Sequence, residues 1–426
     1  MRVYVYTLGC RLNQCESEAI ADSFLKKGFE VVKNYQESEL VIVNSCTVTS
    51  KAEQKARRMI RLFAKSAGAV VVTGCYAEVE REEVSSLSEK VVIFSLKEKA
   101  SILDLPMHID TAIGSGMSVL EAVKSFKKQD RGLFDFDPSS FSYHSRAYLK
   151  VQDGCDNSCG YCRTTIARGS SVWLDSDEVV KRALKLERDG MHEIMLTGVN
   201  LTNYDHSGEG LGALMEKLLS SLGSDMRLRL SSMEPDHVDD RLLAAIADSR
   251  VQPHFHIPIQ SASDKVLRVV NRNYSIEHVY HIIKTLREVK DDPFIACDVI
   301  AGLPGEDDDA FMVTYNFMRE IGFAAMHVFP YSPRPETPLF MVKHKPEERV
   351  RDERAEMLRK LSAKQSHEYI ARQLGKSCEI LLEKDLEGTT GNYLKAKIKK
   401  PEDMVLSPGG LYKGTFTSVF PLEVSL

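Results

Sequence analysis

The chain has 426 residues, 43% hydrophobic and 27% charged, an ordinary mix for globular domains and too long for one small core. Its formal net charge of −5 provides no global positive field, so any contact with nucleic acid must come from local patches. No apolar run has the length of a membrane span or the form of a secretory leader, so a cytoplasmic protein with no membrane partner is expected.

Residues 1 to about 110 alternate strand and helix. VYVYTL, VIVNSC and VVVTGC read as strands. Ile20 and Phe24 mark one face of a first helix, and Ala56, Met59, Ile60 and Phe63 mark one face of a second. A small α/β unit with a parallel sheet is predicted. Cys10, Cys46 and Cys75 each follow a strand directly. In such sheets the carboxyl ends of the strands lie on one edge, so three cysteines far apart in sequence can converge there. The other reading of scattered cysteines is buried small hydrophobes.

Residues from about 105 to 142 carry a weaker pattern, and GLFDFDPSSFSYHS reads as a linker. A second α/β region runs from near Arg146 to about residue 340. Its strand candidates are AYLKVQ, EIMLTG, LRLSS, HFHIPIQ, FIACDVIAG and MHVFPY. Six repeated strand–helix units favour a barrel, or a partly open one, over a flat sheet. A long charged helix is predicted over 346–374. Beyond it, EILLEKD, LKAKIKK and TFTSVFPLEVSL, with turns at Gly388, Gly391, Gly409 and Gly410, read as antiparallel strands of a small β-barrel.

Nine cysteines in such a chain argue for metal-binding thiolates rather than disulfides. GCDNSCGYC spaces Cys155, Cys159 and Cys162 as C-x3-C-x2-C at the end of the first barrel strand, where barrel active sites sit. Three thiolates can hold three irons of a cubane and leave the fourth open, whereas an ordinary cluster has four cysteines. In radical chemistry the open iron takes S-adenosylmethionine, which is cleaved by one electron to a 5′-deoxyadenosyl radical. A structural zinc site is the competing reading, but zinc prefers four ligands in two close pairs, and no partner pair stands elsewhere. Cys297 and Cys378 read as core residues, and Cys15 as a bystander near the first strand end.

These residues resemble the radical S-adenosylmethionine methylthiotransferases over nearly the whole chain. GCRLNQCESE (9–18), NSCTVTSKAEQKAR (44–57) and TGCYAE (73–78) resemble the family's N-terminal domain, whose three cysteines hold an auxiliary 4Fe–4S cluster. GCDNSCGYCRTTIARG (154–169) resembles the radical motif. LTGVNLTNY, LRLSSMEPDHV, HIPIQSASDKVLRVVNRNY, DVIAGLPGE and HVFPYSPRPETP resemble the later barrel motifs, and the last segment resembles a TRAM domain. The implied domains are 1–110 (methylthiotransferase domain), 141–370 (radical domain) and 371–426 (TRAM-like, RNA-binding). Arg163, Thr165, Ala262, Glu336 and Cys15 depart from the usual pattern, while the six cluster cysteines are intact.

The resemblance implies metal ligation by Cys10, Cys46, Cys75, Cys155, Cys159 and Cys162, with the last three forming the radical site. It implies two 4Fe–4S clusters and S-adenosylmethionine, used once as methyl donor and once as radical source. Tyr161, between two ligands, can approach the cofactor's adenine or serve as a core aromatic. Thr197, Asn200, Ser232, Glu234 and Gln260, polar groups at strand ends, are candidates to contact the cofactor. Within the family, NQxESE, CTVTxKA and HVFPYS most resemble the MtaB branch, whose members add a methylthio group at C2 of N6-threonylcarbamoyladenosine at position 37 of tRNA. The family's other substrates, isopentenyladenosine in tRNA and a ribosomal-protein aspartate, are alternatives. So is a non-catalytic iron–sulphur RNA-binding regulator. The implied partners are the tRNA anticodon stem-loop, an electron donor such as flavodoxin or ferredoxin, and a sulphur source. Arg57, Arg58 and Arg61 on the second helix, and Lys397 and Lys399 in the last segment, are candidates for RNA contact, against the alternative of solvated charge.

Overall fold

The first sheet of the computed structural model forms from β-branched runs. The strands Leu40–Ser45 and Ala69–Gly74 are buried along their whole length, as expected of inner strands covered on both faces. The sheet order is Glu30–Val31, Arg2–Thr7, Leu40–Ser45, Ala69–Gly74, Val91–Ile93, parallel throughout. Side chains alternate between faces with period two. Leu40 and Ile42 therefore join Ile20 and Phe24 of the helix Arg11–Lys26 in one core. Val41 and Val43 join Ala56, Ile60 and Phe63 of the helix Ser50–Ser66 in another.

The structure describes residues 1–137 and 145–426, and part of the linker expected over 132–145 lies outside them. The weak stretch before it contains two helices, Leu105–Gly114 and Val119–Ser125. Leu105, Ile109, Ala112, Ala122 and Val123 close the core beneath the first helix. Ser118 and Glu121 form a reciprocal capping box that starts the second of these short helices. Each helix shows too few apolar turns to produce a clear period in sequence.

The described chain divides into two compact units. One contains 1–137 with the segments 148–156 and 162–174, and the other contains 145–147, 157–161 and 175–426. The six strands expected of the second α/β region are present as Ala147–Lys150, Glu193–Thr197, Arg227–Leu230, His254–Gln260, Phe294–Ala301 and Ala325–Pro330. The second and third of these pair in parallel, as do the last three, and a single bridge from Ser232, just past the third strand, to His256 links the two sets. This is a partly open (β/α) barrel. Along Phe294–Ala301 the residues Ile295, Cys297, Val299 and Ala301 are buried on one face, while on the other Ala296 is buried and Phe294, Asp298 and Ile300 are half-buried, so that face is only partly accessible. The charged helix is Glu348–Ala371, and its Ser362 hydroxyl accepts from the Met326 amide of the last barrel strand (3.0 Å).

The C-terminal segment closes into a five-stranded barrel around Ile380, Leu382, Ala396, Ile398, Phe416 and Val424. Its strands are Ser377–Leu382, Glu387–Thr390, Lys395–Lys399, Leu411–Val419 and Leu422–Ser425. Two details differ from the expectation. The pairing of Lys395–Lys399 with Leu422–Ser425 is parallel, which closes the barrel. Gly388, read as a turn, lies inside the strand Glu387–Thr390. A Cβ there would come within 2.6 Å of the Leu381 carbonyl oxygen, so glycine marks close backbone approach at a barrel bend. Among the described residues no helix is long and apolar enough to cross a membrane.

Truncation of the barrel's buried ring, Phe416→Ala, is expected to cost about 3–5 kcal/mol. Urea denaturation followed by far-UV circular dichroism would show this as an earlier transition.

Candidate functional site

Three adjacent strands of the first sheet end in cysteine. Cys10 caps the helix Arg11–Lys26, Cys46 follows Leu40–Ser45, and Cys75 opens the helix Cys75–Val79. The approach is close. A Cβ added at Gly9 would stand 2.8 Å from Cys46 Cβ and 3.1 Å from its sulphur. Gly74 has φ +95°, and a Cβ there would meet the Ser45 carbonyl oxygen at 2.3 Å and the Ser45 amide nitrogen at 2.6 Å. Desolvation, then the mutual repulsion of neighbouring thiolates, pushes the Cys46 thiol up to about 12. Desolvation also raises the Cys10 thiol, against the pull of Arg168.

Five charged side chains are buried beside this trio. Lys99 binds Glu16, and Lys150 binds both Glu16 (2.9 Å) and Asp153 (2.6 Å). Arg168 donates to both Asp153 oxygens (2.8 and 2.9 Å), to Asn13 Oδ1 (2.8 Å) and to Cys75 Sγ (3.2 Å). Asn13 in turn donates to the Leu8 and Ser45 carbonyls, which tie together the turns after two of the cysteine strands. These five groups carry three positive and two negative charges. A buried surplus charge is costly unless an anion lies beside it. Converging thiols with a buried guanidinium donating to one of their sulphurs fit an anionic iron–sulphur cluster.

The C-x3-C-x2-C loop carries the same kind of sulphur contacts. The Thr164 amide donates to Cys162 Sγ (3.3 Å), and the Cys155 amide is fixed on the Gly169 carbonyl (3.1 Å). The departure at Arg163 has a physical explanation. Its guanidinium is buried against Glu80 (2.9 Å) and Glu53 (3.4 Å), so the cation is matched by acids of the N-terminal sheet domain. Thr165 stands exposed with its hydroxyl on the Cys155 carbonyl (3.2 Å).

In the second unit a polar chain links Cys159 to the strand ends. Arg272 donates to Cys159 Sγ (3.2 Å), to the Pro258 carbonyl (2.9 Å) and to Glu234. Burial pushes the Glu234 carboxyl up to about 6, with Arg272 pulling the other way. Thr202 joins Asn200 (3.3 Å) to the Glu234 carbonyl (3.1 Å). Thr197 Oγ1 is buried without a hydrogen-bond partner. Gln260 adopts φ +58°, a conformation unusual for a side-chain-bearing residue and typical of ligand sites. Ser232 binds His256 (2.7 Å), whose other ring nitrogen meets Asp298 Oδ1 (3.0 Å), and His327 meets the same oxygen (3.0 Å). These polar ends suit the amino, carboxylate and ribose groups of S-adenosylmethionine. Tyr161 packs against the apolar group of Val266, Val270, Leu303 and Leu339, which supports its reading as a core aromatic.

Arg272, Asp298, His256, His327 and Arg168 were not singled out in the sequence, although each stands inside a quoted motif. Cys15 is buried, with its thiol donating to the Tyr148 carbonyl (3.4 Å) and pushed up to about 12 by desolvation. Cys297 is a core residue, and Cys378 is half-buried at the C-terminal barrel. On the helix Ser50–Ser66, Arg57, Arg58, Arg61 and Lys65 line an open hollow of about 590 Å³. Arg57 is held there by the Tyr76 hydroxyl (3.1 Å) and Glu83 (3.2 Å), whereas Arg58 and Arg61 face solvent. Lys397 projects outward from the C-terminal barrel, and Lys399 is paired with Glu423 (2.6 Å).

Known proteins are similar to this chain. Residues 2–95 match the Uncharacterized protein family UPF0004, and residues 149–318 match the Radical SAM superfamily. The chain is 34% identical to a Threonylcarbamoyladenosine tRNA methylthiotransferase MtaB of Treponema pallidum, over 96% of each chain. It is 33% identical to the protein of that description in Bacillus subtilis, over 95% of this chain and 91% of the relative. A tRNA-2-methylthio-N(6)-dimethylallyladenosine synthase of Endomicrobium trichonymphae is 31% identical over 94% of this chain and 92% of its own. A radical S-adenosylmethionine methyltransferase, TsrM, of Kitasatospora setae, solved with cobalamin and a 4Fe–4S cluster bound, shares the fold. Its TM-score is 0.55 at 13% identity, over 80% of this chain and 77% of that one.

Gly74→Ala drives a Cβ into the Ser45 backbone and moves Cys75 away from Cys46. Iron bound after anaerobic reconstitution is expected to fall to about half, because only the second cysteine set remains intact. Gly28→Ala, at another positive-φ glycine with nothing within 4 Å, is expected to keep the full content.

Proposed function

We propose that this chain, which belongs to the radical S-adenosylmethionine methylthiotransferase family, adds a methylthio group to C2 of N6-threonylcarbamoyladenosine at position 37 of tRNA. The observation that carries the reading is the pairing of two cysteine sets, each with a buried arginine donating to one of its sulphurs. When bound, the cluster at Cys155, Cys159 and Cys162 supplies the electron that cleaves S-adenosylmethionine, and the one at Cys10, Cys46 and Cys75 carries the sulphur to be transferred. An aromatic C–H bond such as adenine C2–H resists ordinary acid–base catalysis, which is why a radical is needed.

The protein's own groups bind and orient. Thr197, Asn200, Ser232, Glu234 and Gln260 are assigned to the cofactor's polar ends, and Arg272 fixes Glu234 and donates to Cys159. The choice of substrate rests on the relatives' names and on the partly accessible polar group of His256, Asp298 and His327. Such a cluster suits a carboxylate- and hydroxyl-bearing threonylcarbamoyl group better than an apolar isopentenyl group. Arg58 and Arg61, with Lys397 of the TRAM-like barrel, are assigned to phosphate contacts on the anticodon stem-loop, and a one-electron protein reductant and a sulphur source complete the cytoplasmic system. In domain terms, 1–110 holds the auxiliary cluster, 141–370 the radical chemistry and 371–426 the TRAM-like module.

Mass spectrometry of tRNA nucleosides from cells lacking the gene is expected to show loss of the methylthio form of threonylcarbamoyladenosine, restored by the intact gene but not by Cys155→Ala. An unchanged nucleoside profile, or 5′-deoxyadenosine still formed by purified Cys155→Ala, would contradict the assignment. Arg58→Glu with Arg61→Glu is expected to weaken tRNA binding and to lower the slope of log affinity against log salt by about 1–2, read by filter binding.

A further inference from the structure

Arg168 makes contacts that no cofactor-binding or substrate-binding role requires. It is almost fully buried, yet its guanidinium spends one nitrogen on Cys75 Sγ, one on the two oxygens of Asp153 and one on Asn13. Asn13 fixes the backbone after the Cys10 and Cys46 strands, so Arg168 touches one ligand of the trio and is braced by the residue that orders the other two. The neighbouring Lys99 and Lys150 share Glu16, and Lys150 also shares Asp153. Of these five groups Arg168 is the one with a hydrogen bond to the trio, and after Asp153 the Cys75 sulphur is its closest anionic partner (3.2 Å). Hydrogen bonds and local charge at the sulphurs are among the levers that set an iron–sulphur potential.

We propose that Arg168, oriented by Asp153 and Asn13, is the counter-charge of the Cys10–Cys46–Cys75 site and raises the reduction potential of the cluster held there. This rests on the reading of the trio as a cluster site. Reduction adds one electron to the cluster and makes it more anionic. A nearby fixed cation stabilises the reduced state more than the oxidised one. Arg168 is thus a positioning residue for the sulphur-carrying centre, contributed by the segment that follows the C-x3-C-x2-C loop. It couples the electron affinity of one centre to the sequence that builds the other.

The test uses the full chain with Cys155→Ala, Cys159→Ala and Cys162→Ala as parent, reconstituted anaerobically so that only the N-terminal site loads. The cluster is titrated with dithionite and followed by low-temperature electron paramagnetic resonance. In this background Arg168→Gln is expected to lower the midpoint, cutting the reduced-to-oxidised ratio at fixed potential about tenfold, which is about 59 mV for one electron. Arg168→Lys, which keeps the charge, is expected to stay near the parent. Asp153→Asn, which removes the opposing negative charge, is expected to shift the midpoint upward. A merely structural role for Arg168 would not give shifts of opposite sign. Equal midpoints in the parent and Arg168→Gln, or equal downward shifts in the Gln and Lys variants, overturn the inference. Loss of iron from Arg168→Gln with retention in Arg168→Lys supports a charge requirement, and loss from both overturns it. A parent that binds no iron overturns this inference and the cluster reading beneath it, so the two failures are told apart.

Discussion

Neighbouring parallel strands end on one edge of their sheet, and in this chain three of them end in cysteine. Strand order places Leu40–Ser45 between Arg2–Thr7 and Ala69–Gly74, so the thiols after these strands come together without any local sequence motif. The price is backbone crowding. Gly9 and Gly74 answer it, since each occupies a positive-φ position where a side chain would strike the next strand's end. The rest of the site follows from this convergence, because charge must then be arranged around three thiols, of which Cys46 is buried, Cys75 half-buried and Cys10 exposed.

That arrangement is a buried network rather than a surface one. Ion pairs at a surface contribute little, whereas buried ones hold geometry at the cost of desolvation. Glu16 lies on the first helix, Lys99 on a later turn of the same domain, and Lys150, Asp153 and Arg168 on the strand and loop that carry the second cysteine set. Each acid is shared by more than one cation, so the groups brace one another rather than forming separate pairs. The network therefore fixes how segments 148–156 and 162–174 join the N-terminal sheet, and Arg163 with Glu53 and Glu80 repeats the device at the next turn.

The framework was readable in the sequence because it rests on local patterns. β-branched runs of the right length gave the strands, and C-x3-C-x2-C is a spacing with a specific chemical meaning. Cys10, Cys46 and Cys75 needed topology as well as pattern, and the family resemblance supplied what spacing could not. The helices at 105–125 escaped because each is short and its apolar residues matter only against the completed core. The groups around the sulphurs escaped for a different reason. Arg272 meets Cys159 and Glu234, and Asp298 meets His256 and His327, across long sequence separations, so no window of the chain contains these pairs. Arg163 departs from the usual pattern, and its acidic partners Glu53 and Glu80 lie far from it in sequence, so they too were out of reach of any window.

The central claim is that the chain has two separate cluster sites made by two separate cysteine sets. Mössbauer spectroscopy with iron and sulphide analysis addresses this directly on three reconstituted proteins. These are the intact chain, the chain with Cys10, Cys46 and Cys75 all changed to Ala, and the chain with Cys155, Cys159 and Cys162 all changed to Ala. Two 4Fe–4S equivalents in the first and one in each of the others is the predicted result. A single equivalent in the intact chain, or loss of all cluster iron from either triple variant, would contradict it.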